Sequence, residues 1–258
     1  MYLAGDEKRL TLTQPIANAP IISARGLNMT YRMGDVQVYA LRGLDLDVGR
    51  GEFVCVVGPS GSGKSTLFYI LGGLMAPTSG KVVVNGEDLF KMRDSERTKL
   101  RQKLIGFVFQ KYNLLPSLTA RDNVELARDI AGIHEPLGKE FDDMLRLIGI
   151  DGRMSHKPRA LSAGEQQRVA IARAIVNHPA ILLADEPTGN LDSNNSRAVM
   201  TVLRDLNQRM NQTILVITHD TQVASYGDRI LHMRDGRIEA ERGYDASVNG
   251  SADQVGRD

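Results

Sequence analysis

The chain has 258 residues, 42% of them hydrophobic and 24% charged, enough to bury a large core in one domain or two lobes. A formal net charge of +1 leaves no basic footprint of the kind a nucleic-acid-binding face carries, so no nucleic-acid partner is expected. The single cysteine, Cys55, excludes an intrachain disulfide and suits the cytosol, and no apolar run reaches the roughly 18 residues that cross a bilayer.

In chain order, Met1 to about Ala19 is polar, holds Pro15 and reads as a flexible arm with no hydrophobic signal core. Ile21 to Ala24, Val36 to Tyr39 and the alternating Leu44-Asp-Leu-Asp-Val48 read as strands of a small antiparallel layer. A turn over Val48-Gly-Arg-Gly51 leads into Phe53-Val-Cys-Val-Val57, a continuous apolar run that reads as a buried strand. Gly58-Pro-Ser-Gly-Ser-Gly-Lys-Ser-Thr66 follows and opens a helix from Lys64 to about Gly72. Gly80 to Gly86 is hairpin-like, and a second helix is expected near Asp94 to Gln102. After the strand Ile105-Gly-Phe-Val-Phe109, residues Gln110 to Leu161 have helical period and almost no strand signal. Thr119 to Ile130 and Leu137 to Ile148 are the best helices there. The chain then returns to strand, helix, strand order through a helix over Glu165 to Val176, the apolar strand Ile181-Leu-Leu-Ala184, Thr213-Ile-Leu-Val-Ile-Thr218, and Arg237-Ile-Glu239. From Gly243 the sequence is polar, contains Asn249-Gly250, and is expected to be disordered.

The glycine-rich stretch fits G-x-x-x-x-G-K-[ST] at Gly58, Gly63, Lys64 and Ser65, between a strand and a helix. Its glycines let the backbone curl so that N–H groups from Ser60, Gly61, Ser62, Gly63 and Thr66 cradle phosphates at a helix N-terminus. Lys64 adds a point charge, and Ser65 offers a hydroxyl to Mg²⁺, which takes few protein ligands and keeps phosphate oxygens and waters. The strand Ile181 to Ala184 delivers Asp185 and Glu186 at its C-terminal end, where ligands sit in parallel sheets. One carboxylate suits a metal shell; the other suits an attacking water. The remaining histidines, His134, His156, His178 and His232, lack metal-ligand spacing.

Leu161-Ser-Ala-Gly-Glu-Gln-Gln-Arg168, followed by Ile181 to Pro187, resembles the signature sequence and Walker B segment of ATP-binding cassette (ABC) ATPases. The other family motifs stand in order: Gln110 (Q-loop), Asn190-Leu-Asp192 (D-loop) and His219 (H-loop). Tyr31, in Met29-Thr-Tyr-Arg-Met-Gly34, matches the aromatic that stacks on adenine. The resemblance covers about residues 20 to 240, and Pro-Thr-Gly-Asn-Leu-Asp and Asp-Gly-Arg-Ile are similar to the lipoprotein-releasing and macrolide-export (LolD/MacB-like) branch, which includes cell-division FtsE-like proteins.

The resemblance implies an α/β fold: a P-loop RecA-like core with a parallel sheet, a small antiparallel β layer and an inserted helical subdomain. The core is expected over 20–110 and 168–242, the helical subdomain over 111–167, the arm over 1–19 and the tail over 243–258. It implies ATP and Mg²⁺, with Ser65, Gln110 and Asp185 on the metal, Glu186 as catalytic base, and His219 and Gln110 positioning γ-phosphate and water. Two copies would sandwich ATP between one P-loop and the partner's Ser162, Ala163, Gly164 and Glu165, with Asp192 at the same interface. By itself Leu161 to Glu165 is also a plain helix start with Ser162 as cap. Ala163 and Glu165 depart from the usual Leu-Ser-Gly-Gly-Gln, and Ala163 would be strained if its φ had to be positive. The segment Gln110 to Leu118 matches the region that meets a transmembrane permease, a separate polypeptide on this reading, with the chain held peripherally on the cytoplasmic face of the inner membrane. Leu114, Leu115 and Leu118 there could instead cap the lobe's core. The alternative is a soluble ABC ATPase of an assembly machine or a nucleic-acid process.

Overall fold

The computed structural model describes residues 19–243. Residues 1–18 of the expected arm and residues 244–258 of the expected tail lie outside the described residues, and Gly243 closes the last strand instead of opening that tail. The chain begins β1 (Ile22–Met33), β2 (Val36–Val48), β3 (Phe53–Val57) and α1 (Lys64–Leu71). It continues through β4 (Ser79–Val84), β5 (Glu87–Asp88), α2 (Asp94–Leu104), β6 (Ile105–Phe109), α3 (Ala120–Ile130), α4 (Lys139–Ile148) and α5 (Ala163–Ile175). The last elements are β7 (Ile181–Asp185), α6 (Ser193–Met210), β8 (Thr213–Thr218), α7 (Thr221–Ala224), β9 (Arg229–Arg234) and β10 (Arg237–Gly243).

Two sheets result. One is four-stranded in the order β2-β1-β4-β5 and antiparallel; the other is six-stranded in the order β10-β9-β3-β8-β7-β6. Within the second, β9, β3, β8, β7 and β6 run parallel and only β10 is antiparallel. The short strands expected at Val36–Tyr39 and Leu44–Val48 are one strand. Gly43 between them, at φ 65°, lies where the pairing with β1 slips register, so the glycine is absorbed as a bulge and the strand continues. The helix expected from Glu165 starts two residues earlier, at Ala163.

The central strands are apolar on both faces because both faces are covered. Successive side chains of β3 alternate between two clusters: Phe53, Cys55 and Val57 in one, Val54 and Val56 in the other. The first cluster is completed by helices. Phe141, Met144, Leu145 and Ile148 of α4 recur at helical spacing and are buried there with Val169 and Ile171 of α5 and Val199 and Leu203 of α6. The second cluster is completed by α1, Leu100 and Leu104 of α2, and Ile22, Leu41 and Val82 of the antiparallel sheet. Fully burying side chains of this kind contributes about 1.5–3 kcal/mol each.

Candidate active site

Parallel pairing aligns the C-terminal ends of four neighbouring strands. Val57 sits opposite Thr218, Ile217 opposite Asp185, and Asp185 opposite Phe109. The next residues, Gly58, His219, Glu186 and Gln110, therefore leave the sheet along one edge, which is where parallel sheets bind ligands. A cavity of about 710 Å³ opens there, lined by Tyr31, Val38, Tyr39, Ala40, the loop from Pro59 to Thr66 apart from the buried Ser62, and Glu186 and His219.

The loop is built for close backbone approach. Gly63 has φ 101°, and a Cβ on it would lie 2.3 Å from the Ala40 carbonyl oxygen, so no larger residue fits. Lys64 is buried, and its Nζ donates to the carbonyls of Gly58 (2.8 Å) and Pro59 (2.9 Å) and to Ser62 Oγ (3.4 Å). Burial pushes its pKa down, while Glu186 and Asp185 oppose that shift. Ser60, Gly61 and Ser65 are exposed along the cavity. The Tyr31 hydroxyl lies 3.3 Å from Thr66 Oγ1 and donates to Met75 Sδ at 3.1 Å, which fixes the ring beside the loop.

At the far end, Glu186 is in the left-handed region at φ 48°, with its N–H on the Ile217 carbonyl at 2.9 Å. His219 Nδ1 stands 2.8 Å from Glu186 Oε1. A carboxylate only accepts, so Nδ1 carries the proton of this bond. Burial first, then the neighbouring Glu186, pushes the Asp185 pKa up, and Lys64 draws it back. Gln110 is exposed and paired with Asn190: its carbonyl accepts from Asn190 Nδ2 at 2.9 Å, and its Nε2 donates to Asn190 Oδ1 at 3.5 Å.

The structure does not bring every sequence candidate to this cavity. Ser162, Ala163, Gly164, Glu165 and Asp192 do not line it, and neither do Gly58, Ser62, Gln110 and Asp185, which stand behind or beside its wall. Ser162 caps α5, its hydroxyl accepting from the Glu165 N–H at 3.2 Å. Glu165 spends both oxygens within the chain, accepting from the Ser162 N–H at 2.7 Å and from Arg153 Nε at 2.8 Å. These contacts, led by the Ser162 N–H, hold its carboxyl below the usual range. Ala163 is the first residue of α5 and is not among the residues of positive φ, so it carries no left-handed strain. Gly164 is buried, and a Cβ on it would fall 2.3 Å from Asn195 Oδ1. This glycine lets α5 and α6 start against each other. Asp192 caps α6, accepting from the Asn195 N–H at 2.8 Å.

Val38 and Tyr39 as cavity residues, and Asn190 and Asn195 as partners of Gln110 and Gly164, are not legible in the sequence. Val38 pairs across the hairpin with Tyr31. Only the register reveals that, and the bulges near Gly26 and Gly43 hide the register from strand periodicity.

The donor set fits Mg²⁺ held with a nucleotide. Among the described residues no cluster of three or more His, Cys, Asp or Glu could hold a metal alone, whereas an exposed Ser65 hydroxyl, a carboxylate at Asp185 and the Gln110 amide suit a hydrated ion completed by phosphate oxygens.

Known proteins share the sequence and the fold that carry this site. The family model "ABC transporter" matches residues 41–189. An ABC transporter ATP-binding protein of Thermotoga maritima is 49% identical over 210 residues, covering 81% of this chain and 89% of the relative. A macrolide export ATP-binding/permease protein MacB of Chlorobaculum tepidum is 42% identical over 237 residues, which is 92% of this chain but 36% of that protein. Among solved structures, a dimer of the ATP-binding cassette MJ0796 in a post-hydrolysis state with ADP and Pi matches with a TM-score of 0.79 at 42% identity, covering 87% of this chain and 99% of that one. On the family model, these relatives and the P-loop site, the chain belongs to the ABC transporter family as an ATP-hydrolysing nucleotide-binding cassette.

Proposed function

We propose that the chain works as a dimer of two copies that clasps ATP and drives a membrane permease in export, lipoprotein release or transmission of a mechanical signal. The observation that carries the reading is the strand-end row that places the loop from Pro59 to Thr66, Glu186 and His219 around one cavity. Ser162 and its helix start stand off that cavity, free for a neighbouring copy. The dimeric MJ0796 cassette supports the pairing, and the macrolide-export relatives support a permease partner. Among the described residues no helix is long and apolar enough to cross a membrane. A peripheral position on the cytoplasmic face follows from the permease reading.

In this account the backbone N–H groups of the loop and the Lys64 ammonium hold the triphosphate, and Tyr31 stacks on the base. Lys64 exchanges its three intrachain acceptors for phosphate oxygens. Ser65, Asp185 and Gln110 would hold Mg²⁺, which neutralises charge on the β- and γ-phosphates when bound. Glu186 accepts the proton of the attacking water, while His219 orients that carboxylate and contacts the γ-phosphate. The partner's Ser162 hydroxyl and α5 N-terminus face the same phosphate. Gln110 and the segment to Leu118 report nucleotide occupancy to the permease. Leu115 is 45% exposed there, whereas Leu114 packs on the helical cluster, so the leucines divide between docking and core.

The test is purification of the tagged Glu186→Gln chain from detergent-solubilised membranes with ATP and Mg²⁺, followed by mass spectrometry. Stoichiometric recovery of a multi-span permease is the expected result. A dimer that elutes without any membrane protein would contradict the permease reading and favour a soluble assembly ATPase.

A further inference from the structure

Arg173 lies in the last turn of α5, the helix that opens with the signature serine. Its guanidinium does not point to an acid. Nη1 donates to the Asn113 carbonyl at 2.6 Å and Nη2 to the Tyr112 carbonyl at 2.8 Å, and among the described residues no carboxylate acts on it. Burial accordingly pushes its pKa down. A half-buried guanidinium without a counter-ion is costly, and an apolar side chain would fill the same space without that cost. What arginine adds is a rigid fork that takes two consecutive carbonyls at once. Those carbonyls belong to an irregular stretch in which Asn113 has φ 51°.

The stretch begins two residues after Gln110, and its neighbours define two anchorages. On the core side, the Gln110 carbonyl is tied to Asn190. On the lobe side, Asn123 of α3, 1% exposed, accepts from the Leu115 N–H at 2.7 Å and donates to the carbonyls of Leu115 and Thr119. Arg173 adds the link to α5, so that from Tyr112 onward the segment is fastened to the helix that carries Ser162. α5 is itself held on the core, with Gln167 Nε2 donating to the Phe109 carbonyl at 3.4 Å, so Asn190 and Arg173 fix the chain on either side of Lys111.

We propose that Arg173 is a positioning residue for ATP hydrolysis: it clamps the Tyr112-Asn113 stretch to α5, so that the segment after Gln110 is held in register with the helix that opens with the signature serine. This inference rests on the roles proposed for Gln110 and Ser162. A nucleotide that draws on Gln110 then sets the signature end for the partner's phosphate, and a partner's phosphate at Ser162 resets the segment facing the permease. Without the clamp each site still binds its ligand, but neither informs the other.

Steady-state hydrolysis and fluorescent ATP-analogue binding of Arg173→Met test this, with hydrogen exchange of residues 112–118 in the Glu186→Gln background. We expect kcat to fall about ten-fold with analogue affinity and melting temperature held, and ATP protection of 112–118 to be lost while protection at the start of α5 persists. Arg173→Lys, which can keep one carbonyl, is expected to fall between and serves if the methionine variant does not fold. Wild-type kcat in both variants, or a parallel loss of affinity and stability, would overturn the clamp. Wild-type protein that binds ATP without turnover defeats the ATPase reading instead. The exchange comparison then decides the clamp: equal ATP protection of 112–118 with and without Arg173 overturns it, and loss only without Arg173 supports it.

Discussion

Glu186 sits at φ 48°, in a region that costs a non-glycine residue on the order of 1–3 kcal/mol, and it is held there by its N–H on Ile217 and its side chain on His219. Strain at this position aims the carboxylate out of the sheet edge and into the cavity. His219 is two-thirds exposed, so its contribution to folding is small and its contribution to aim is large. Replacing it tests that division. His219→Ala is expected to leave ATP binding and the melting temperature unchanged while hydrolysis falls by about 10²-fold or more, read by steady-state phosphate release beside calorimetric binding. A variant that loses binding in step with turnover would show that the histidine shapes the pocket and does not orient the base.

The helix starts are where one motif serves two ends. Ser162 and Glu165 form a reciprocal capping box, with the Ser162 hydroxyl on the Glu165 N–H and the Glu165 carboxylate on the Ser162 N–H. Because the folded-state pKa of Glu165 is lowered, its contribution is present above the unfolded value of about 4.3 and is lost as pH falls through the folded one. Between pH 5 and pH 3 the melting temperature of the wild type should drop more steeply than that of Glu165→Gln, which cannot titrate there. Parallel slopes in differential scanning fluorimetry would contradict this. The cap was legible in the sequence because Ser, then Glu three residues later, before an apolar run, is a local pattern. So were the buried strands, since Phe53 to Val57 and Ile181 to Ala184 are apolar on both faces. The continuity of β2 was not legible. Arg42 and Gly43 look like a break, and only pairing with β1 shows that the glycine is a bulge. Nor was the strain feared at Ala163, which the first turn of a helix removes.

At the scale of the molecule, two apolar clusters on opposite faces of one sheet hold the strand ends in a row, and the row makes the site. The helices between residues 120 and 175 share their cluster with the sheet face, so α5, which Ser162 caps, is packed on the core sheet. The places of Lys64 in the loop and of Asp185 and Glu186 at a strand end were legible in the sequence, while the role proposed for His219 came with the family resemblance. The partners Asn190, Asn195 and Arg173 did not, because each contact spans a distance in sequence that no local pattern encodes. The cavity contains the P-loop but not Ser162, which is the physical reason to expect that one copy alone has an incomplete site. Sedimentation velocity of the Glu186→Gln chain, with and without ATP and Mg²⁺, tests that most directly. The account predicts a monomer without nucleotide, a dimer with ATP, and phosphate release lowered by about 10²–10⁴-fold relative to wild type. A chain that stays monomeric in saturating ATP while hydrolysing it at the wild-type rate would contradict both the sandwiched site and the assignment of Glu186.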